Sequence, residues 1–281
     1  MTMQQTVAHF GEEGAYAAEA AAGLYPEAKL LPCHSVADVM RSVTRREADC
    51  GVLPIENSLA GVVPETYDLL AHAPLSIIDE AVLPVPHVLV GLANTNIDAL
   101  DRIHSHPMAL GQCRRFLSSL PDTLPEVAPS TAAAARRVAE SRDLRQAAIS
   151  SRGVAERLGL SVLLNDVSDH AQNFTRFVSV APRTRLDRRD GEPWRCAIRF
   201  VTHHHPGALH DAIEPLRRYG VNMTSLQSRP IPGRPWEYQF YADLEGHPME
   251  KHVAEALRAM EESTAELAHL GCYPVAARIH S

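Results

Sequence analysis

Three observations predict an α/β chain in two parts. Short apolar runs of strand length alternate with helical patterns through residues 1–182. Residues 183–193 are rich in charge, with Gly and Pro and no apolar periodicity, and this composition marks a linker. Residues 194–281 then read in the order βαββαβ, the ferredoxin-like arrangement. At 281 residues the chain is long enough for two domains that each bury a core.

From the start, Val7–Phe10 reads as a strand, Ala15–Leu24 and Val36–Glu47 as helices, and Cys50–Ile55 as a strand. Tyr67–His72 is helical and Leu75–Leu83 extended, which together give the rhythm of a mainly parallel sheet. Val85–Leu92 is nearly continuous in apolar residues, as in a strand buried on both faces, and is a candidate crossing between two lobes. The rhythm then resumes. Arg102–His104, Glu126–Ala128, Ala147–Ser150 and Val162–Leu164 are extended, while Gly111–Leu120, Thr131–Glu140 and Gly153–Leu158 are helical. This divides residues 1–182 into one lobe of about 1–84 with 166–182 and another of about 85–165. In the second part, strand Cys196–Thr202 leads to helix Gly207–Tyr219 and strands Asn222–Ser228 and Trp236–Leu244. Helix Met249–Ser263 and strand Ala265–Tyr273 complete the pattern. Such a sheet has free edges that pair readily with a second copy, so a homodimer or homotetramer is expected.

Composition narrows the function. A net charge of −7 leaves no basic footprint for nucleic acid. The first six residues lack a basic and an apolar signal region and no apolar run reaches membrane-span length, so a cytoplasmic chain without membrane contact is expected. Cys33, Cys50, Cys113, Cys196 and Cys272 are odd in number, widely spaced and without a C-x-x-C pair. They are read as free thiols, with neither a disulfide framework nor structural zinc.

Polar groups gather at strand ends and helix starts. Asn173–Phe174–Thr175–Arg176–Phe177 stands where the polar loop Asp166–Gln172 gives way to the alternating run Phe177–Ala181, at the start of a half-buried strand. An amide, a small hydroxyl and a guanidinium there suit an oxygen-rich anion, although Thr and Phe are also ordinary strand residues. Glu56–Asn57–Ser58 follow the strand at Cys50, where they either meet a ligand or cap a helix. His104–Ser105–His106–Pro107 leads towards Gln112, read near a helix's first turn. With no carboxylate or Cys adjoining, the two His are not read as metal ligands. Ser130 is a natural N-cap for the helix from Thr131, and the same N–H groups would hold an anion.

Five segments resemble the prephenate dehydratase family: Leu53–Gly61 (LPIENSLAG), His106–Cys113 (HPMALGQC), Ser130–Thr131 with the alanines after them, Ala147–Ser150, and Asn173–Phe177 (NFTRF). Gly11–Tyr16 (GEEGAY) is similar to the family's G-x-x-G-[ST]-[FY], with Ala15 in the hydroxyl position. The second part resembles an ACT regulatory module, through Gly207–Ala208–Leu209 and through Gln227–Ser228–Arg229–Pro230 in place of E-S-R-P.

The resemblance implies a two-lobed catalytic domain like a type II periplasmic binding protein, with its site between the lobes. It implies conversion of prephenate to phenylpyruvate, carbon dioxide and water in phenylalanine biosynthesis. Aromatisation drives that reaction, so no redox cofactor and no metal are expected. It further implies that Thr175 assists the departing hydroxyl and that Asn57 and Gln112 help catalysis or binding. Glu56, Ser58, Ser130, Thr131, Asn173, Arg176 and Phe177 are the expected substrate-binding residues. Arg176 and the helix terminus would hold the pyruvyl carboxylate, and Phe174 or Phe177 would line a dry pocket for the ring carboxylate. For the ACT module it implies L-phenylalanine bound at a subunit interface by Gly207, Ala208, Leu209, Gln227, Ser228, Arg229 and Pro230. Gln227 removes a charge that would favour an amino group. His203–His204–His205 ahead of Gly207 is atypical, and consecutive side chains diverge, so no metal is assigned there. Arogenate dehydratase would show the same motifs, and a non-catalytic amino-acid sensor would retain the same cleft and module. The intact N-F-T-R-F speaks against the sensor.

Overall fold

The computed structural model describes residues 4–170, 172–182 and 192–276. Most of the expected linker, residues 183–191, lies outside the described residues. The first lobe begins with β1 (Thr6–Phe10), α1 (Tyr16–Leu24), β2 (Lys29–Cys33), α2 (Val36–Thr44) and β3 (Cys50–Asn57). It continues through β4 (Gly61–Val62), α3 (Pro64–His72) and β5 (Leu75–Pro84). The second lobe contains β6 (Val88–Gly91), β7 (Arg102–Ser105), α4 (Pro107–Gln112), α5 (Arg114–Ser118) and β8 (Leu124–Val127). It ends with α6 (Thr131–Ser141), β9 (Gln146–Ser150), α7 (Arg152–Leu158) and β10 (Ser161–Leu164). The chain then returns to the first lobe as β11 (Phe174–Pro182).

The first sheet runs β2-β1-β3-β11-β5 and the second β10-β6-β9-β7-β8. Both are mixed. β1 is parallel to β2 and β3, but β11 runs antiparallel between β3 and β5. Three local expectations change. β2 is an additional strand, its Pro32 tolerated because β2 is the sheet's edge. The helix expected over Gly111–Leu120 is two short helices broken at Cys113, so Gln112 ends α4 instead of starting a helix. The N-F-T-R-F cluster lies largely inside β11, not ahead of it.

The third sheet runs β13-β14-β12-β15, from β12 (Trp194–Val201), β13 (Met223–Pro230), β14 (Tyr238–Glu245) and β15 (Glu266–Pro274). Helices α8 (Ala208–Tyr219) and α9 (Lys251–Ser263) cover one face, burying Ile198, Phe200, Leu244, Val253 and Met260. The other face packs on the first lobe. Ala197, Tyr241, Leu270 and Tyr273 share a core with Leu75, Ile77, Val178 and Val180. At Gly271 (φ +154°) a Cβ would sit 2.2 Å from Ile77 O, so only glycine lets the two sheets approach this closely. Cys196 and Cys272, opposite each other on β12 and β15 with Cα atoms 4.2 Å apart, form a disulfide. This corrects the reading of five free thiols: sheet pairing joins residues 76 apart in sequence, which spacing does not reveal. Cys33, Cys50 and Cys113 are free and buried. Among the described residues no helix is long and apolar enough to cross a membrane.

Candidate active site

The antiparallel ladder between β3 and β11 sets Thr175 opposite Asn57 and Arg176 opposite Glu56. Because side chains alternate along a strand, Thr175 and Phe177 leave one face while Arg176, Val178 and Val180 leave the other. This parity separates two groups of polar residues that are adjacent in sequence.

On the Thr175 face four side chains join in a chain of hydrogen bonds. Asn57 Oδ1 accepts from the backbone N–H groups of Leu59 (3.1 Å) and Ala60 (2.9 Å), which fixes the orientation of its amide. Asn57 Nδ2 must then donate, and its two protons serve Asn173 Oδ1 at 2.7 Å, Thr175 Oγ1 at 3.0 Å and Phe174 O at 3.1 Å, one of them shared. With Asn173 Oδ1 accepting, Asn173 Nδ2 donates to Gln112 Oε1 at 3.2 Å. Two consequences follow. Thr175 accepts from Asn57, which leaves its own proton free to point elsewhere, and Gln112 keeps its amide N–H₂ for a ligand. Cys113, beside Gln112, is fully buried, and burial pushes its thiol up to about 12, so it is no nucleophile near neutrality.

Ser58 serves this arrangement structurally. Its hydroxyl accepts from Phe174 N at 2.9 Å and donates to Gln172 O at 3.4 Å, pinning the start of β11. Asp169 pins the other side by accepting from the N–H groups of Arg114 (3.0 Å) and Arg115 (2.9 Å) while its own N–H donates to Gln112 O at 2.7 Å. Phe177 is 3% exposed and packs in the core with Val7, Ala17 and Ala81, which does not match the expectation of a substrate contact. Ser130 caps α6 by accepting from Ala133 N at 3.0 Å, with Thr131 as the first helical residue. Among the described residues no hydrogen bond joins either of them to the cluster. Gly11 and Gly14 turn the chain at positive φ before α1, whose N-cap Ala15 makes no side-chain bond. Glu12 pairs with Arg136 and Glu13 with Arg157, so this turn touches the second lobe.

On the opposite face Arg176 has no free fork for a substrate anion. Its guanidinium meets Asp243 at 2.6 Å, Glu56 at 3.0 Å and Glu80 at 3.4 Å, and it also donates to Tyr273 Oη at 3.4 Å. Burial works against its charge, but Asp243, Tyr273, Tyr67 and Glu80 outweigh burial and hold its pKa above the ordinary value. Asp243 and Tyr273 belong to the third sheet, so Arg176 and Glu56 lie between the domains and not with Thr175. The expectation that these two residues bind substrate does not match that placement. A lone acid inside the apolar strand Tyr238–Leu244 was the sequence signal for Asp243.

In the C-terminal part Gly207, in the left-handed region at φ +85°, precedes α8. With Ala208, Leu209 and His203–His205 it lines an open hollow of about 690 Å³. Gln227–Pro230 lies apart on the edge strand β13, where Gln227 Nε2 donates to Ser228 O at 2.9 Å. Arg229 is committed to Asp68 of α3 at 2.6 Å. Among the described residues no group of His, Cys, Asp and Glu is placed to hold a metal.

Residues 7–185 match the prephenate dehydratase family and residues 197–262 the ACT domain. The bifunctional chorismate mutase/prephenate dehydratase of Escherichia coli (strain K12) is 35% identical over 272 residues, spanning 95% of this chain and 70% of that protein. Arogenate dehydratase/prephenate dehydratase 2, chloroplastic, of Arabidopsis thaliana is 34% identical over 278 residues, 96% of this chain and 72% of that one. Among solved structures, a prephenate dehydratase from Arthrobacter aurescens in complex with L-Phe superposes with a TM-score of 0.88 at 31% identity, covering 98% and 94% of the two chains. GqqA, described as a novel type of quorum quenching acylase, superposes with a TM-score of 0.87 at 34% identity over 97% and 98%. With matches of this extent across both parts, the chain belongs to the prephenate dehydratase family and carries a C-terminal ACT domain.

Proposed function

We propose that Asn57, Gln112, Asn173 and Thr175 form the centre at which this dehydratase converts prephenate to phenylpyruvate. In that reaction the electron pair of the bond to the ring carboxylate flows into the ring, carbon dioxide leaves, and the C–O bond on the far side of the ring breaks. The departing oxygen gains negative charge in the transition state. The observation that carries the assignment is the polarity of the Asn57–Thr175 bond: Thr175 Oγ1 accepts from Asn57, so its O–H proton is available to the leaving oxygen. A donor acting mainly in the transition state contributes about 3 kcal/mol, a hundredfold or more in rate. The Gln112 amide N–H₂ and the α6 terminus at Ser130 and Thr131 are assigned to the pyruvyl carboxylate, since Arg176 is engaged between the domains. The test is phenylpyruvate production from prephenate. Thr175→Ala is expected to lose about a hundredfold or more in kcat while Thr175→Ser keeps most of it, and equal activity of wild type and Thr175→Ala would remove Thr175 from the mechanism.

L-phenylalanine is proposed as the effector, supported by the ACT match and by the L-Phe complex of the Arthrobacter aurescens protein. The hollow at Gly207–Leu209 would take it together with the Gln227–Pro230 segment of a second subunit. β13, which carries that segment, is one of the sheet's two edge strands and the one such a homo-oligomer would use. Suppression of turnover by L-phenylalanine checks this. Arogenate is tested in parallel, given the double name of the Arabidopsis relative. A second reading, an acylase, rests on the likeness to GqqA. It fits the site less well, because the hydrogen bond to Thr175 Oγ1 comes from an amide N–H and not from a base that would activate it. Release of a free acid from an N-acyl amide would support that reading.

A further inference from the structure

We infer that His87 is a positioning residue for Gln112, locking the Gln112 amide so that its N–H₂ alone faces the substrate. His87 lies just before β6, where the chain crosses from the first lobe to the second, and is 7% exposed. Its backbone is fixed on both sides: His87 O accepts from Val167 N at 2.8 Å and His87 N donates to Ser168 Oγ at 3.3 Å. Its Nε2 lies 2.7 Å from Gln112 Oε1.

The direction of that bond follows from the rest of the chain. Two backbone N–H groups fix Asn57, Asn57 fixes Asn173, and Asn173 makes Gln112 Oε1 an acceptor. The imidazole must therefore donate from Nε2. Both acceptor directions of Gln112 Oε1 are then filled, by His87 and by Asn173, and turning the amide over would set N–H against N–H at two places. The other ring nitrogen, Nδ1, is buried without a hydrogen-bond partner among the described residues. A charged ring would bury an unpaired N–H there, and burial accordingly holds the pKa of His87 below its ordinary value. The ring thus stays neutral, a fixed donor that exchanges no proton with the reaction. Without it, only the 3.2 Å bond from Asn173 would hold the Gln112 oxygen, and the amide would turn more readily to offer that oxygen to an anionic substrate, which repels it.

The inference rests on the proposed role of Gln112, and a double-mutant cycle with prephenate separates the two. His87→Leu is expected to raise KM for prephenate about tenfold or more while kcat changes less than about threefold, as when a contact made equally to bound substrate and transition state is lost. On a Gln112→Ala background the same change should cost less than about twofold, because its target is gone. His87→Gln, whose amide N–H₂ reaches the same oxygen, should restore most of the loss, whereas the shorter His87→Asn should not. Full activity of His87→Leu, an equal loss on the Gln112→Ala background, or rescue by Asn instead of Gln would overturn the inference. If Gln112→Ala is itself as active as wild type, the role of Gln112 fails first and that of His87 falls with it. Should His87→Leu fail to fold, the comparison of His87→Gln with His87→Asn decides alone.

Discussion

Replacing Arg176 by methionine tests the separation of the two faces of β11. The side chain of Arg176 is 9% exposed, and its partners Glu80 and Asp243 are 1% and 3% exposed. Methionine fills similar space but leaves those carboxylates without the guanidinium. Glu56, at 38%, turns to water, and Glu80 keeps its pair with Arg195. Asp243, which loses its 2.6 Å partner, carries most of the cost. Breaking one side of a buried ion pair costs about 3–5 kcal/mol. Asp243→Asn added to Arg176→Met should recover part of that loss by neutralising the stranded acid. Urea unfolding followed by the fluorescence of the buried Trp194 reads the effect. A loss under about 1 kcal/mol, or unchanged stability with a collapse in substrate affinity, would refute the reasoning and return Arg176 to the substrate.

Gly271→Ala should cost about 3 kcal/mol, since its Cβ would collide with the Ile77 backbone and a positive φ adds strain; thermal unfolding checks this, and an unchanged midpoint would contradict it. Stability should also fall on mild acidification. Burial holds His9, His87, His104 and His269 below their ordinary pKa, so the unfolded chain takes up protons at higher pH than the native one does. Their contribution is complete above about 6.5 and is lost as pH falls below it. Glu19, raised by burial, works in the opposite direction but is one group against four. Urea midpoints at about pH 7.5 and 5.5 should therefore differ, with the lower midpoint in acid.

The two-part organisation was legible in the sequence because apolar periodicity and linker composition are local signals. That the candidate residues Asn57 and Thr175 come together was legible in part for a related reason. Asn57 ends β3 and Thr175 is the second residue of β11, and strand ends are where polar side chains gather. Arg176 was misplaced because period-two alternation says only that it opposes Thr175, not that the third sheet packs on its face. Asp243 and Tyr273, which decide its role, lie 67 and 97 residues away. The Cys196–Cys272 bond was hidden likewise, since register across β12 and β15 is a tertiary fact. His87 did leave a local trace, a single polar ring in the apolar run Val85–Leu92, though only the structure supplies its partner Gln112.

In the proposed mechanism Asn57 donates to Thr175 and so turns the threonine proton outward. Asn57→Asp tests it most directly, because the side chain keeps its shape and can still accept from Leu59 N and Ala60 N, while the donor becomes a second acceptor. Thr175 would then donate inward, and Asn173 Oδ1 would face an oxygen. The expected result is a folded protein with kcat for phenylpyruvate formation from prephenate reduced about a hundredfold or more. A variant that turns prephenate over at the wild-type rate would contradict it.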